Sequence, residues 1–246
     1  MKFHCIITAR MTSSRLPGKI MMKIKNIPVI QILYERLKKS KLICKTIVAT
    51  TNNQTDDNFV EFLKKKKISF YRGSEFNVIK RVIEAAKKFK AKNVVLITGD
   101  CPLIDPDIVD QCIRTFKFNK ADFVNNSNIR TFSDGLDVQV FKLSALIKSY
   151  KLIKIDNNKE KEHVTLSLRK NKKYFKTINI LSGPRLNYPD IFVTLDEIED
   201  FKLIKKVIYY FWNKKRKYFS AHELINFIRK KHLFKINQNI ARKGNN

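Results

Sequence analysis

Within residues 8–19, Thr-Ala-Arg-Met-Thr-Ser-Ser-Arg-Leu-Pro-Gly-Lys, two arginines, one lysine and the small hydroxyl side chains of Thr12, Ser13 and Ser14 crowd into one loop. Arg and Lys heads in this number hold several phosphate oxygens at once, and turn-forming backbone N–H groups add to them. Pro17 fixes its own φ and Gly18 takes backbone angles that other residues avoid, so the charges are mounted on a turn. A short apolar run over 3–7 precedes the loop and reads as a buried strand. A basic loop directly after the first strand of an α/β domain sits where such folds bind ligands. The plainer alternative, a solvated run of charge, leaves the Ser, Pro and Gly punctuation unexplained.

Three further segments carry chemistry. Arg72-Gly73-Ser74-Glu75 follows the third expected strand and Thr98-Gly99-Asp100-Cys101-Pro102 the fourth. Asp196, with Glu197, Glu199 and Asp200, follows a late apolar run. All fall at carboxyl ends of strands, on the ligand edge of such a sheet. Carboxylates facing a basic loop suit Mg²⁺ shared with substrate phosphates, because that ion takes one or two carboxylates plus phosphate oxygens and water. Asp100 and Asp196 form the natural pair. Each has a plainer role: Asp100 as a turn residue bonding nearby backbone, Asp196 as a helix N-cap. The sequence has no G-x-G-x-x-G and no G-x-x-x-x-G-K-[ST], which argues against a dinucleotide Rossmann site and a P-loop NTPase. Cys5, Cys44, Cys101 and Cys112 make no C-x-x-C pair, so a zinc site is not expected.

The elements that must position these residues alternate. Strands are expected over 3–8, 46–50, 68–71 and 93–98, and helices over 29–39, 56–66, 77–89 and from Asp105-Pro106 to 118, with Asp105 as N-cap. This alternation predicts a largely parallel sheet with helices on both faces. Beyond 121 the pattern changes. A strand is expected at 122–125, and alternation over 131–141 predicts antiparallel pairing. A polar stretch over 154–161 leads to a helix from about Glu162. Strands follow at 174–181 and 191–195, then helices over 197–212 and 221–231. Ser220 and Glu223 form a capping box for the last helix. Residues 241–246 read as a frayed polar tail.

The chain has 246 residues and a formal net charge of +29. One large domain with a sizeable core fits that length. The charge alone suggests a polyanionic partner. However, lysines recur along every helix, and Lys, Asn, Ile and Phe share A/T-rich codons, so the charge reads mainly as a solvated surface. No leader and no membrane-length apolar run is seen, and a reducing, cytoplasmic setting is expected.

The motifs Ala9-Arg10-Met11, Arg15-Leu16-Pro17-Gly18-Lys19, Arg72-Gly73-Ser74-Glu75, Thr98 through Pro106, Gly135-Leu136-Asp137-Val138 and Glu162-His163-Val164-Thr165 occur in this order. With them the chain resembles the cytidylyltransferase family of CMP-sugar synthetases over nearly its whole length, to about Lys206. It is closest to the branch of spore-coat polysaccharide biosynthesis protein F, with acylneuraminate and 3-deoxy-manno-octulosonate cytidylyltransferases as relatives. The resemblance implies a single-domain, three-layer α/β/α fold of the nucleotide-diphospho-sugar transferase type over 1–240, with a small antiparallel extension over 131–175 for the acceptor site and a homodimer contact. It implies CTP as donor, Mg²⁺ as cofactor, and attack of a sugar-acid hydroxyl on the α-phosphorus with loss of pyrophosphate. By position, Arg10, Ser13, Arg15 and Lys19 would bind the triphosphate, with Ala9 and Ser14 in the same loop. Arg15 and Lys19 would stabilise charge on the leaving pyrophosphate, and Asp100 and Asp196 would hold the metal. Gly73 and Ser74 would lie near the nucleotide, and Asp137, Gln139 and His163 near the acceptor. His163 would serve as a general base or in a structural hydrogen bond. Arg130, Arg185 or a nearby Lys would pair with the sugar carboxylate.

There are departures from the pattern. Thr12 replaces a usual Gly, Thr8 a usual Gln and Leu166 a frequent Pro, and Asp196 lacks the Pro or Tyr that commonly follows. Two rival readings remain at this stage. One is a nucleotidyltransferase of the same fold using another NTP. The other is a basic nucleic-acid or polyanion-binding module, against which Phe59, Phe62, Phe89 and Phe116 fall at helical spacing like core residues and not like a base-stacking platform.

Overall fold

The computed structural model describes residues 1–154 and 156–242. In chain order the elements are β1 (Phe3–Thr8), β2 (Lys23–Ile24), β3 (Ile27–Pro28), α1 (Val29–Leu37), β4 (Ile43–Thr51), α2 (Asp57–Lys65), β5 (Ser69–Gly73), α3 (Val78–Lys88) and β6 (Asn93–Thr98). They continue with α4 (Pro106–Asn119), β7 (Phe123–Asn125), β8 (Gln139–Lys142), α5 (Leu143–Tyr150), α6 (Asn158–Glu162), α7 (Leu166–Lys170), β9 (Thr177–Asn179), α8 (Ile198–Asn213) and α9 (Ala221–Lys230). The main sheet runs β5-β4-β1-β6-β8-β7-β9. β8 pairs antiparallel with both β6 and β7, and the remaining pairs are parallel.

Alternate residues of the central strands enter opposite cores, as the two-residue period of a strand requires. Cys5, Ile7, Val48, Val95 and Ile97 pack with α1, α2, α4, α8 and α9 on one face. Ile6, Ala49, Val94 and Leu96 pack with α3, α5 and α7 on the other. Two buried faces explain why these strands read as unbroken apolar runs. The expected mostly parallel, three-layer architecture is therefore the observed one.

Chain direction reverses across the sheet at β1. From β1 the chain first fills the β4 and β5 side, then crosses to β6, and ligands bind at the carboxyl ends beside such a switch point. The two ends are tied together: the Gly99 N–H donates to Thr8 O at 2.8 Å. A Cβ at Gly99 would lie 3.0 Å from both Ala9 Cβ and Thr8 O, so a side chain there would push the first loop off β6.

The second half departs from the sequence expectation in several places, the unforeseen helix α5 among them. Residues 131–138 form no ladder, because Asn126 binds Leu136 O (2.9 Å) and Val138 N (2.8 Å) through its side chain and occupies the groups a strand would share. Gly135 stands at φ +100°, where a Cβ would come 2.4 Å from Thr194 N. Residues 191–195 make only an isolated bridge, Asp134 to Phe192, since Val193 N donates to Asp134 O and Leu195 N to Asp100 O, both at 2.7 Å. The helix expected from Glu162 is instead two short helices. Asn157 caps α6 by accepting from Glu160 N at 3.0 Å, and the chain breaks at 163–165 before α7.

Arg242, placed by the sequence in a frayed tail, is anchored: it forms a two-pronged pair with buried Asp200 at 2.9 and 2.8 Å. The remainder of that tail, 243–246, lies outside the described residues. No helix among the described residues is long and apolar enough to cross a membrane.

Candidate active site

The first loop is closed on itself and bolted to the fold. Met11 O accepts from Ser13 N (3.0 Å) and Gly18 N (2.9 Å), with Gly18 at φ 70°. Met11 N donates to Asp56 Oδ1 at 2.8 Å. Buried Asp56 also accepts from the Thr50 and Thr51 hydroxyls and from Thr51 N. Burial alone would raise its pKa, but these donors outweigh it and leave the pKa lowered, so the anchor stays ionised. On the other flank Glu75 accepts from Arg10 Nη1 at 3.4 Å, from the Thr12 hydroxyl and from Asn53. The Thr12 side chain thus pins the loop to Glu75.

A cleft of about 340 Å³ opens at this edge. It is lined by Thr8, Ala9, Arg10, Ser13, Ser14, Arg15 and Lys19 from β1 and its loop, Val78 and Arg81 of α3, Thr98 and Asp100 after β6, Glu162, His163 and Asp196. The structure therefore brings all six basic-loop candidates together with Asp100, Asp196 and His163. Asp100 and Asp196 face each other because the 194–195 segment bonds the Asp100 carbonyl, through Leu195 N at 2.7 Å and Thr194 Oγ1 at 3.4 Å. Lys19 Nζ sits between their carboxylates, 3.2 Å from Asp100 Oδ2 and 2.8 Å from Asp196 Oδ1, and Arg15 Nη2 lies 2.9 Å from the same Asp196 oxygen.

Asp196 is not the N-cap of α8; Glu197 is, and Asp200 accepts from both the Asp196 and Glu197 N–H groups at 2.9 Å. The carboxylate of Asp196 is thereby left to the cleft. Burial works against the charge on Lys19, but Asp100 and Asp196 outweigh it and raise its pKa. The reciprocal holds for Asp100, whose pKa is lowered by Lys19 against the pull of burial. Two carboxylates converging on one cation-sized point are hard oxygen donors of the kind Mg²⁺ accepts alongside phosphate oxygens, so the donor set fits such an ion.

Other predicted residues lie apart from this cleft. Ser74 lines an adjoining cavity, whereas Gly73 is buried, its Cα facing Tyr71 and Arg81, and lines neither space. Asp137 is held by Arg130 at 3.1 Å through both carboxylate oxygens. Gln139 in β8 accepts from the Thr165 hydroxyl at 2.7 Å. Neither Asp137 nor Gln139 lines the cleft. Arg130 also meets Asp134 at 3.6 Å, and Arg185 stands exposed in a shallow depression with Gly183, Pro184 and Leu186. Burial, then the nearby charge of Asp137, pushes Asp134 up to about 6. The His163 pKa is lowered, chiefly by desolvation with Arg169 and Lys159 adding to it, so its ring is neutral at pH 7.

Sequence reasoning missed Arg81, a buried cation on the otherwise apolar inner side of α3 that donates to the Ser74 and Glu75 carbonyls. Its pKa falls to about 10 through burial and then Arg10, which still leaves it charged. An arginine amid Val78, Ile79 and Val82 was the available signal.

A mostly parallel sheet whose carboxyl edge carries a polycationic loop opposite two carboxylates defines the nucleotidyltransferase class of α/β fold. Residues 4–239 match the profile of the family described as cytidylyltransferase, and the chain belongs to that family. A solved cytidylyltransferase from Leptospira borgpetersenii is 35% identical and superposes with a TM-score of 0.89 over 99% of this chain and 100% of its own. Spore coat polysaccharide biosynthesis protein SpsF of Bacillus subtilis is 28% identical over 91% of this chain and 92% of its own. A 3-deoxy-manno-octulosonate cytidylyltransferase of Geobacter sulfurreducens is 30% identical over 62% of this chain and 61% of its own.

Proposed function

We propose that this protein transfers CMP from CTP to the hydroxyl of an acidic sugar, a ulosonic or nonulosonic acid, and releases pyrophosphate for surface-glycan synthesis. The observation that carries the reading is the single cleft uniting Arg10, Ser13, Ser14, Arg15 and Lys19 with Asp100 and Asp196. Phosphoryl-type transfer is catalysed mainly by positioning and charge neutralisation, and this cleft supplies both without a covalent protein nucleophile.

In the unliganded arrangement the two cations and two carboxylates neutralise one another. On substrate binding, Arg15 and Lys19 turn from the carboxylates to phosphate oxygens and stabilise the charge that develops on the departing pyrophosphate. Asp100 and Asp196, so released, would hold Mg²⁺, which when bound neutralises phosphate charge. His163, neutral and at the rim, takes the proton from the attacking sugar hydroxyl. The sugar carboxylate pairs with Arg169. Among the described residues, Arg169 Nε is buried without a hydrogen-bond partner, and its guanidinium lies in the fields of both His163 and Asp137. Arg130 is spoken for by Asp134 and Asp137. The octulosonate cytidylyltransferase relatives support the choice of acceptor class, and SpsF, named for spore coat polysaccharide biosynthesis, supports the glycan role.

The test is calorimetric titration with CTP, UTP, ATP and GTP, with and without Mg²⁺, followed by a pyrophosphate-release screen over acidic sugars. Preference for CTP that strengthens with Mg²⁺ is expected. Tight binding of another NTP would shift the reading to another nucleotidyltransferase. Salt-sensitive, Mg²⁺-indifferent binding of polyanions alone would overturn it.

A further inference from the structure

Phe76 is 81% exposed; the other strongly exposed phenylalanine, Phe118 at 89%, stands on helix α4, whereas Phe76 stands at a cavity. It stands in the short connection between β5 and α3, and its neighbours are all fastened. The Ser74 hydroxyl accepts from Asn77 N at 3.0 Å, and Arg81 donates to the Ser74 and Glu75 carbonyls. Glu75 takes Arg10, Thr12 and Asn53. Asn77 caps α3 and donates to Tyr150 Oη at 2.9 Å. The backbone is thus held rigidly around one ring that packs on nothing, an arrangement that keeps an apolar face in water at a fixed place.

That place is the mouth of a cavity of about 750 Å³, which Phe76 lines with Ser74 and Asn77. The cavity joins the phosphate cleft, for Arg10 and Glu162 border both. It lies on the Arg10 side, away from the Lys19, Asp100 and Asp196 end. A nucleoside triphosphate whose phosphates occupy the first loop would carry its ribose past Arg10 and its base into this space. A flat aromatic heterocycle is the group an exposed ring serves best, because the two faces stack.

We infer that Phe76 is the platform on which the nucleobase of the donor stacks. This rests on the nucleotidyltransferase reading above and extends it to a residue that fixes the base end of the substrate. Stacking is indifferent to base identity, so Phe76 sets affinity for the nucleoside part and leaves the choice of base to polar groups.

The experiment compares CTP with tripolyphosphate, which has the phosphates but no base, in the parent protein, Phe76→Ala and Phe76→Trp, all at one Mg²⁺ concentration. Phe76→Ala is expected to weaken CTP by about tenfold to a hundredfold and to leave tripolyphosphate unchanged. Phe76→Trp is expected to bind CTP at least as well as the parent, with indole fluorescence quenched on addition of CTP beyond any change seen from Trp212 in the parent. Parent-like CTP affinity in Phe76→Ala, or equal loss of CTP and tripolyphosphate, overturns the inference while leaving the functional reading intact. A parent protein that binds tripolyphosphate but no nucleotide overturns both.

Discussion

Replacing Lys19 with Met keeps the aliphatic stem and removes the ammonium that separates Asp100 from Asp196. The Lys19 side chain is 11% exposed and its partners 27% and 15%, so the pairs are mostly out of water. Deleting one partner of a buried pair costs about 3–5 kcal/mol, and partial exposure puts this case at the low end, about 3 kcal/mol. For a chain of this size that is a fall of roughly 6–12 °C in melting temperature. The pH dependence follows from the shifts. The Asp100 pKa is lowered in the fold, so its contribution is present above the unfolded carboxylate pKa and is lost only as pH falls through the folded value. The Lys19 pKa is raised, so its contribution is complete at every pH below the unfolded lysine pKa. The parent therefore keeps the full interaction from pH 5 to 8. In the variant, burial no longer opposed by Lys19 drives the Asp100 pKa up, and protonation relieves the repulsion at the acid end. Urea or thermal unfolding should show a larger loss at pH 8 than at pH 5, and kcat should fall by about 10²–10³. A melting temperature within about 1 °C of the parent at pH 8, against the roughly 6–12 °C expected, would refute the bridging role. A loss independent of pH would refute the electrostatic account.

Three further outcomes are expected. His163→Gln should lower kcat by about 10²–10⁴ and abolish the acid limb of the pH profile; in the parent that limb should titrate below 6.5, because the base must be neutral and its pKa is lowered. Arg169→Ala should raise the KM for the acid sugar and leave CTP binding untouched, and an equal effect on a neutral acceptor analogue would exclude carboxylate pairing. Arg242→Ala strips two charge-assisted bonds from buried Asp200 and should cost about 3–5 kcal/mol in urea unfolding. The Asp200 pKa is lowered in the fold because Arg242 and Asn237 outweigh burial, so the variant's deficit should shrink as pH falls and the carboxyl protonates.

The parallel half of the fold was legible because its central strands are buried on both faces and its helices present one apolar side. β1 and β6 coincide with the apolar runs over 3–8 and 93–98. The 131–195 region was legible only in part, at β8 and β9, because much of its backbone is satisfied across long sequence separations. Asn126 takes the Leu136 carbonyl and the Val138 N–H, and Asp100 O receives Leu195 N. No local pattern announces such bonds. The candidate site divides in the same way. The basic loop and the two aspartates were visible from residue type and position after strands. Asp56 read only as the start of a helix, although its hydrogen bond to Met11 N fixes the loop. Arg130 looked like a partner for a sugar carboxylate until the fold placed Asp134 and Asp137 against it.

The Asp200 anchor bears on how the enzyme is made. The backbone N–H of Asp196 is held by Asp200, whose carboxylate accepts a hydrogen bond from Asn237 and is charge-paired with Arg242, both of which a ribosome delivers after everything else in the cleft. Strands β1, β4, β5 and β6 and the first loop all leave the ribosome before α8. A nascent chain that has extruded α8 but not residue 242 would therefore carry every residue of the basic loop and an unpaired carboxylate beneath Asp196. The Asp196 side of the cleft would then be completed in one late step, with the pairing of Arg242 and Asp200.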